Sequence, residues 1–402
     1  MNICFLTLGH VSKTRGGIDR VTDTLANVFI EKGHKVFMVS VWKAFEGDFI
    51  YPFQYFLPSQ EIHSQKNISF LTKFFVSHKI DIIINQSEPY NLFKLIIDSH
   101  HNIPIISVIH NDPYAAIKQI KDTWDKWKYD NGMIRFFIKS PYFWLRKCFQ
   151  IYTRDKYIRE KHLFYYNHSA AVVLLSENFI QPFCRLAKLN APDHVYAICN
   201  PMSFNKTIEF DKKEKIILYV GRLDFFQKRV DRLIKIWDSV KNKDGWKVVI
   251  VGDGPSKNFY ESMCAKIGIN SIEFVGHTNP EPYYRKASIL CQTSTFEGVP
   301  MVILEALQNE VIPITFNSYE AVYDIIQNDV NGYIIKAFSI KQYSKTLEKL
   351  MFNQSLRVKM RENIRTQNST VPKFDIKLIS EKWISLFNQL CNNSIMKKNN
   401  SI

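Results

Sequence analysis

Short runs of consecutive apolar residues recur along this chain, each closed by a polar or glycine-bearing turn and followed by a helical stretch. Asn2–Leu8, Val36–Val41, Asp81–Asn85, Ile103–Ile109, Ala170–Leu175 and His194–Cys199 carry the pattern through the first half. Ile216–Val220, Trp246–Val251, Ile272–Val275, Ser288–Gln292, Ile312–Thr315 and Gly332–Ile335 carry it through the second. A strand that is apolar on both faces must be covered on both, which alternating helices achieve. The alternation therefore predicts α/β architecture with parallel sheets. A chain of 402 residues exceeds one ordinary core and suits two domains of about 200 residues each. The polar, lysine-rich stretch Ser203–Lys215 between the halves reads as a linker.

Composition narrows the class of partner. An apolar fraction of 46% supports packed cores and excludes disorder. The net charge of +15 implies polyanionic partners: nucleic acid, anionic membrane or phosphate-bearing substrates. Seven dispersed cysteines without a CxxC pair read as reduced, mostly buried thiols of a cytosolic protein. The N-terminal run lacks a basic lead and a small-residue cleavage site, so it reads as a first core strand. No apolar run reaches the roughly 18 residues of a membrane span, which leaves only peripheral membrane contact.

Chemistry concentrates at the carboxyl ends of the strands. Gly16 and Gly17 lie at the first strand-to-helix turn, where open α/β sheets place ligands. That turn is not GxGxxG, so a dinucleotide site has no support. His110 follows the strand Ile103–Ile109. Arg222 and Lys228 flank the polar turn after Ile216–Val220, close enough to converge on one anion, a planar fork beside a mobile point charge. The stretch Ser294–Leu307, STFEGVPMVILEAL, sets Glu297 on a loop and Glu305 one to two turns into a helix that Pro300 opens. Gly298 lets a ligand approach the backbone, and helix-start N–H groups with the helix dipole make a phosphate site. Two solvated helix carboxylates are the plain alternative for this pair.

The stretch resembles the Glu-x7-Glu signature of retaining, nucleotide-sugar-dependent glycosyltransferases of family 4, which have the GT-B fold. Gly16-Gly17, GRLDFFQKR at 221–229, VGDGP at 251–255, FVGHT at 274–278 and VNGYII at 330–335 fall in the family's order. The resemblance implies two Rossmann-like parallel-sheet domains facing across a cleft. It gives an acceptor-side domain over 1–202, a nucleotide-sugar domain over 203–373 and a closing helix at 374–391 that crosses back to the N-terminal domain; the polar, basic composition of Asn392–Ile402 reads as a disordered tail. It implies that Arg222 and Lys228 bind the donor diphosphate and stabilise the leaving nucleotide, and that Glu297 orients the sugar hydroxyls. Glu305 is implied to hold the ribose. Gly16 and Gly17 lie against the donor phosphate and acceptor, with Arg15 as a polar neighbour. Gly221, Gly276, Gly298, Val299, Pro300 and Met301 line the nucleotide and phosphate through backbone atoms, and His110 contacts the transferred sugar. The chain has no Asp-x-Asp, so no metal and no further cofactor is expected beyond a donor such as a UDP-sugar. The implied acceptor is a saccharide or lipid-linked saccharide of cell-surface polysaccharide assembly. A GT-B-fold epimerase and a non-catalytic sugar-nucleotide binder remain the alternatives.

The segment 113–167 departs from the family pattern. Between Arg135 and Lys161 eight basic residues stand against Asp155 and Glu160, interleaved with Phe136, Phe137, Tyr142, Phe143, Trp144, Phe149, Tyr152 and Tyr157. Such a mixture suits a lipid headgroup layer, placing the protein in the cytoplasm or peripherally on the inner face of the membrane. It equally suits an ordinary basic hairpin packed on the N-terminal domain. Nucleic-acid stacking uses the same residue types, but no accompanying motif supports it.

Overall fold

The computed structural model describes residues 1–12, 16–43, 53–100, 102–131, 140–202, 212–370 and 374–399. Arg15, linker residues 203–211, and Arg135, Phe136, Phe137 and Lys139 of the basic segment lie outside the described residues. The chain divides into two compact units. The first comprises Met1–Pro113, Lys156–Ser203 and Lys373–Ile402, and the second Tyr114–Asp155 and Phe204–Pro372.

In the first unit, β1 (Asn2–Gly9), β2 (Lys35–Trp42), β3 (Gln54–Phe56), β4 (Ile82–Asn85), β5 (Ile105–Ile109), β6 (Ala171–Leu174) and β7 (Val195–Ala197) form one sheet. Its order is β3-β2-β1-β4-β5-β6-β7, with every neighbouring pair parallel. Ile82, Ile83 and Ile84 are fully buried, as a strand covered on both faces requires. The edge strand β3 falls in the irregular stretch 42–66, where the sequence offered no motif. The helix Ile376–Asn399 sets Trp383 and Phe387 on Phe29 of the helix Gly17–Glu31, with ring centroids 6.5 and 5.2 Å apart. The C-terminal helix thus returns to the first unit. It continues to Asn399, which corrects the expected disordered tail from 392: no Gly or Pro stops it.

In the second unit, β8 (Ile216–Val220), β9 (Lys247–Val251), β10 (Ile272–Gly276), β11 (Ile289–Gln292), β12 (Ile312–Phe316) and β13 (Tyr333–Ile335) follow the order β10-β9-β8-β11-β12-β13, again all parallel. Strand order reverses between β8 and β11. The loops leaving these two neighbours therefore diverge to opposite faces and open a crevice at their carboxyl ends.

The segment expected as an N-terminal insertion is the main correction. Residues 114–155 group with the second unit, where the helix Ala115–Asn131 makes ring and ion-pair contacts and buries Asp122. Tyr129 packs edge-on against Phe225 at 5.7 Å and Phe259 at 5.6 Å, and Lys126 Nζ lies 4.7 Å from the Phe259 ring. Among the described residues no helix is long and apolar enough to cross a membrane.

One glycine ties the second sheet to its loops. Gly252, just past β9, has φ +148°, and a Cβ there would lie 2.0 Å from the Gly221 carbonyl oxygen. Both space and backbone exclude a side chain. Gly252→Ala is expected to lower the unfolding free energy by about 3 kcal/mol in a urea titration. A loss below about 0.5 kcal/mol, the range of ordinary surface substitutions, would contradict the close approach.

Candidate active site

The loop after β8 is wound by its own aspartate. Asp224 Oδ1 accepts the N–H groups of Phe226 at 2.7 Å and Gln227 at 3.0 Å. Its carbonyl accepts those of Lys228 at 3.1 Å and Arg229 at 3.2 Å. Arg229 then takes a left-handed conformation, φ 50° and ψ 53°, and the helix Val230–Ser239 begins. The loop after β11 is laced to this turn. Thr295 N–H donates to Gln227 O at 2.8 Å, and Thr293 Oγ1 donates to the carbonyls of Lys228 at 3.2 Å and Arg229 at 3.0 Å.

The lacing brings two of the expected site residues together. Lys228 Nζ lies 2.6 Å from Glu297 Oε1, with side chains 20% and 8% exposed. Gln227 Nε2 donates to Glu297 Oε2 at 3.3 Å, and Gln292 Nε2 to Oε1 at 3.4 Å. The side-chain Oε1 of Gln292 accepts the hydroxyls of Thr315 at 2.8 Å and Tyr319 at 2.6 Å, which turns Nε2 toward the carboxylate. Arg222 stands at the other end of the same turn, 63% exposed, with Nη2 3.4 Å from Asp224 Oδ2. The two cations thus flank one turn, but each meets its own carboxylate instead of its neighbour's. A carboxylate as buried as Glu297 needs a counter-charge, and Lys228 supplies it.

The stretch Phe296–Met301 is buried and leads into the helix Met301–Gln308. Pro300 is the residue before the helix, not its first residue, and makes no side-chain cap. Glu305 lies on this helix, as expected. It is fully buried, and its Oε2 accepts the Tyr284 hydroxyl at 3.0 Å. The helix turns this position inward, toward the helix Glu281–Lys286. Gly221 and Gly276 meet around Gly252, whose N–H donates to Gly276 O at 2.8 Å.

The other expected residues belong to the first unit, whose strand order reverses between β1 and β4. Gly17 starts a helix there. Gly16 precedes it in an extended conformation, and among the described residues nothing lies within 4 Å of where a Cβ would stand. His110 is buried beyond β5, with Nε2 2.5 Å from Gln86 Oε1. With that oxygen accepting, Nε2 carries the proton. Nδ1 has no hydrogen-bond partner among the described residues, nor has the Gln86 amide nitrogen. Burial pushes His110 down to about 4 although Glu88 pulls it upward, so the ring is neutral at physiological pH.

Sequence reasoning missed Gln227, Gln292 and Asp122. Gln292 was visible as the one polar residue ending the run Ile289–Gln292. Asp122 carried no signal, because its partners lie more than a hundred residues away. It is fully buried, paired with Arg229 and 3.1 Å from Arg232 Nη2. Among the described residues no group of three or more His, Cys, Asp and Glu could hold a metal ion.

Two Rossmann-like parallel-sheet units with a C-terminal helix returning to the first define a GT-B α/β protein. The sequence profile described as "Glycosyl transferases group 1" matches residues 203–367. The chain is 30% identical over 244 residues to the amylovoran biosynthesis glycosyltransferase AmsD of Erwinia amylovora, covering 59% of this chain and 68% of that one. It belongs to the glycosyl transferases group 1 family. It is also 30% identical over 226 residues to the GalNAc-alpha-(1->4)-GalNAc-alpha-(1->3)-diNAcBac-PP-undecaprenol alpha-1,4-N-acetyl-D-galactosaminyltransferase of Campylobacter jejuni. That match takes in 52% of this chain and 62% of the relative's length. In fold it resembles a crystal structure of an S. aureus TarM variant in complex with Fondaparinux, alpha-GlcNAc-glycerol and UDP. The TM-score is 0.72 at 15% identity, covering 96% of this chain and 100% of that one.

Burial holds His162, on the helix Ser140–His168, down to about 4 as well, against a hydrogen bond to the Ile158 carbonyl and the pull of Glu88, with Lys161 adding to the depression. Unfolded imidazoles take up protons near pH 6.5, whereas these two remain neutral until about pH 4. Between those values the unfolded chain binds more protons, so stability is kept above about 6.5 and lost as pH falls through the window. His162→Gln should flatten the acid limb of stability against pH. An unchanged slope would show that His162 does not titrate on unfolding there.

Proposed function

We propose that the chain is a retaining glycosyltransferase that moves a hexose or N-acetylhexosamine from a nucleotide diphosphate sugar, with UDP as the default nucleotide. The acceptor is a saccharide or lipid-linked saccharide in cell-surface polysaccharide assembly. One observation carries the reading: the Lys228–Glu297 pair joins two loops at the reversal of strand order, with Arg222 at the other end of one loop and an uncapped helix start beyond the other. Support for the substrate classes comes from the relatives' names, one an undecaprenol-linked galactosaminyltransferase and one an amylovoran biosynthesis enzyme, and from UDP in the TarM complex.

Breaking a sugar–diphosphate bond requires charge to be neutralised on the departing phosphate. Arg222 is exposed and forked to take phosphate oxygens, and Lys228 can share its charge between Glu297 and the diphosphate. The N–H groups at the start of Met301–Gln308 add partial positive charge. These groups do the work without a metal. As the diphosphate draws Lys228, Glu297 gains acceptor capacity for the sugar hydroxyls, its direction held by Gln227 and Gln292. The acceptor hydroxyl attacks from the leaving-group face, a donor phosphate oxygen takes its proton, and the anomeric configuration is retained. Neutral His110 serves the sugar as a hydrogen-bonding group and takes no proton. Gly16, Gly17, Gly221, Gly276 and Gly298–Met301 keep their assignment to phosphate and nucleotide. The ribose contact of Glu305 requires its carboxylate to share or leave the Tyr284 hydroxyl.

Arg222→Ala and Lys228→Ala are each expected to lower kcat about 10²–10³-fold with UDP-sugar donors, and EDTA to leave wild-type turnover unchanged. Intact turnover in the double variant would sink the phosphate assignment. Loss of activity in EDTA restored by magnesium would sink the metal-free mechanism. Conversion of the donor alone to an epimeric nucleotide sugar would replace transfer with epimerisation.

We also assign the protein to the inner face of the cell membrane as a peripheral partner. Trp144, Leu145, Phe149 and Tyr152 are exposed on the helix Ser140–His168, within an arc of about 140° at 100° per residue. Arg146, Arg154 and Lys156 are exposed on the same helix. Aromatic residues beside cations suit an anionic headgroup layer. Flotation with anionic liposomes should weaken as salt rises and fall in Trp144→Ala/Phe149→Ala. Absent or salt-indifferent flotation would leave that face a structural surface only.

A further inference from the structure

Resting on the glycosyltransferase reading, we infer that Asp122 is a positioning residue: from the helix Ala115–Asn131 it holds the two loops that carry Lys228 and Glu297 in register. All of these residues belong to the second unit.

Asp122 is fully buried and faces two guanidinium groups. Arg229 Nη1 donates to its Oδ1, and Arg232 Nη2 donates to the same oxygen at 3.1 Å. Arg229 is the residue after Lys228, in the left-handed conformation that ends the turn. Its guanidinium is fixed further by Asp231, through Nε at 2.8 Å and Nη2 at 3.1 Å, and by Asp125 at 3.0 Å. Arg232 reaches the other loop. Its Nη1 donates to the Thr293 carbonyl at 3.1 Å and to Thr295 Oγ1 at 3.0 Å, two to four residues before Glu297. One carboxylate therefore stands between a cation at the root of Lys228 and a cation gripping the approach to Glu297.

The remainder of the helix seats it over the same end of the sheet. Lys118 Nζ donates to the Ser318 carbonyl at 2.7 Å, and Ser318 Oγ donates to the Ser294 carbonyl at 2.8 Å. Tyr129, two turns beyond Asp122, packs on Phe225 of the turn and reaches Asp231 through its hydroxyl at 3.4 Å. The helix thus touches the loops after β8, β11 and β12 directly or through one residue. Buried ion pairs give little net stability for their desolvation, yet they are costly to break. Their geometric strictness is what a site needs when a displacement of about 1 Å costs of order a hundredfold in rate.

Asp122→Asn keeps the shape but not the charge, and leaves an excess buried cation. Asp122→Asn/Arg232→Gln removes that excess without restoring the clamp. The wild type and both variants are compared for melting temperature, UDP affinity, and kcat with a panel of UDP-hexoses and UDP-N-acetylhexosamines, each well below its own melting point. Asp122→Asn is expected to lower kcat about 10- to 100-fold while UDP affinity changes less than about threefold. The double variant should regain melting temperature but not kcat. Recovery of kcat together with melting temperature would overturn the positioning role, as would a folded Asp122→Asn protein with wild-type kcat. Failure of both variants to fold would assign the network to stability alone and overturn it too. A wild-type protein that turned over no donor in the panel would instead overturn the glycosyltransferase reading.

Discussion

Two loops in the second unit leave neighbouring strands, β8 and β11, in opposite directions, and hydrogen bonds from Thr295 and Thr293 lace them back together. On that seam Lys228 and Glu297 face each other at 2.6 Å. The arrangement follows from strand order. Only at a reversal do adjacent strands send their helices to opposite faces, leaving their carboxyl ends uncovered. A cation and a buried carboxylate placed there hold each other. The pair is worth more as a device of position than as a source of stability, since desolvation offsets most of its attraction.

The first unit repeats the topology with different chemistry. Its reversal lies between β1 and β4, and His110, Gln86 and Asn85 are buried near it, with Glu88 close enough to act on His110. Burial keeps His110 unprotonated at physiological pH, although Glu88 pulls the other way.

The site was partly legible in the chain itself. Glu297, Lys228 and Arg222 were singled out because each lies in the loop that follows a strand and within a motif that resembles the family's. Glu305 was placed correctly on its helix but not by its contacts, because which helix face turns inward depends on the neighbour, here Tyr284. Gly16 was assigned to donor phosphate and acceptor by resemblance, and its backbone is extended. Gln292 acquires its role only through Thr315 and Tyr319, which decide the direction of its amide. The helix Ile376–Asn399 was read from its apolar period, but its length was not, since a polar end without Gly or Pro carries no stop signal.

By itself the sequence determined the alternation of strands and helices, and hence two parallel sheets covered on both sides, because side-chain hydrophobicity is a local property with a fixed period. It also determined which strand ends carry charge. Tertiary structure alone decided that residues 114–155 join the second unit, that Asp122 meets Arg229 and Arg232, and that Lys228 and Glu297 form one ion pair. Those outcomes rest on burial of unlike charges far apart in the chain. An ion pair costs or contributes according to how completely water is removed from both partners, and no stretch of sequence holds that information.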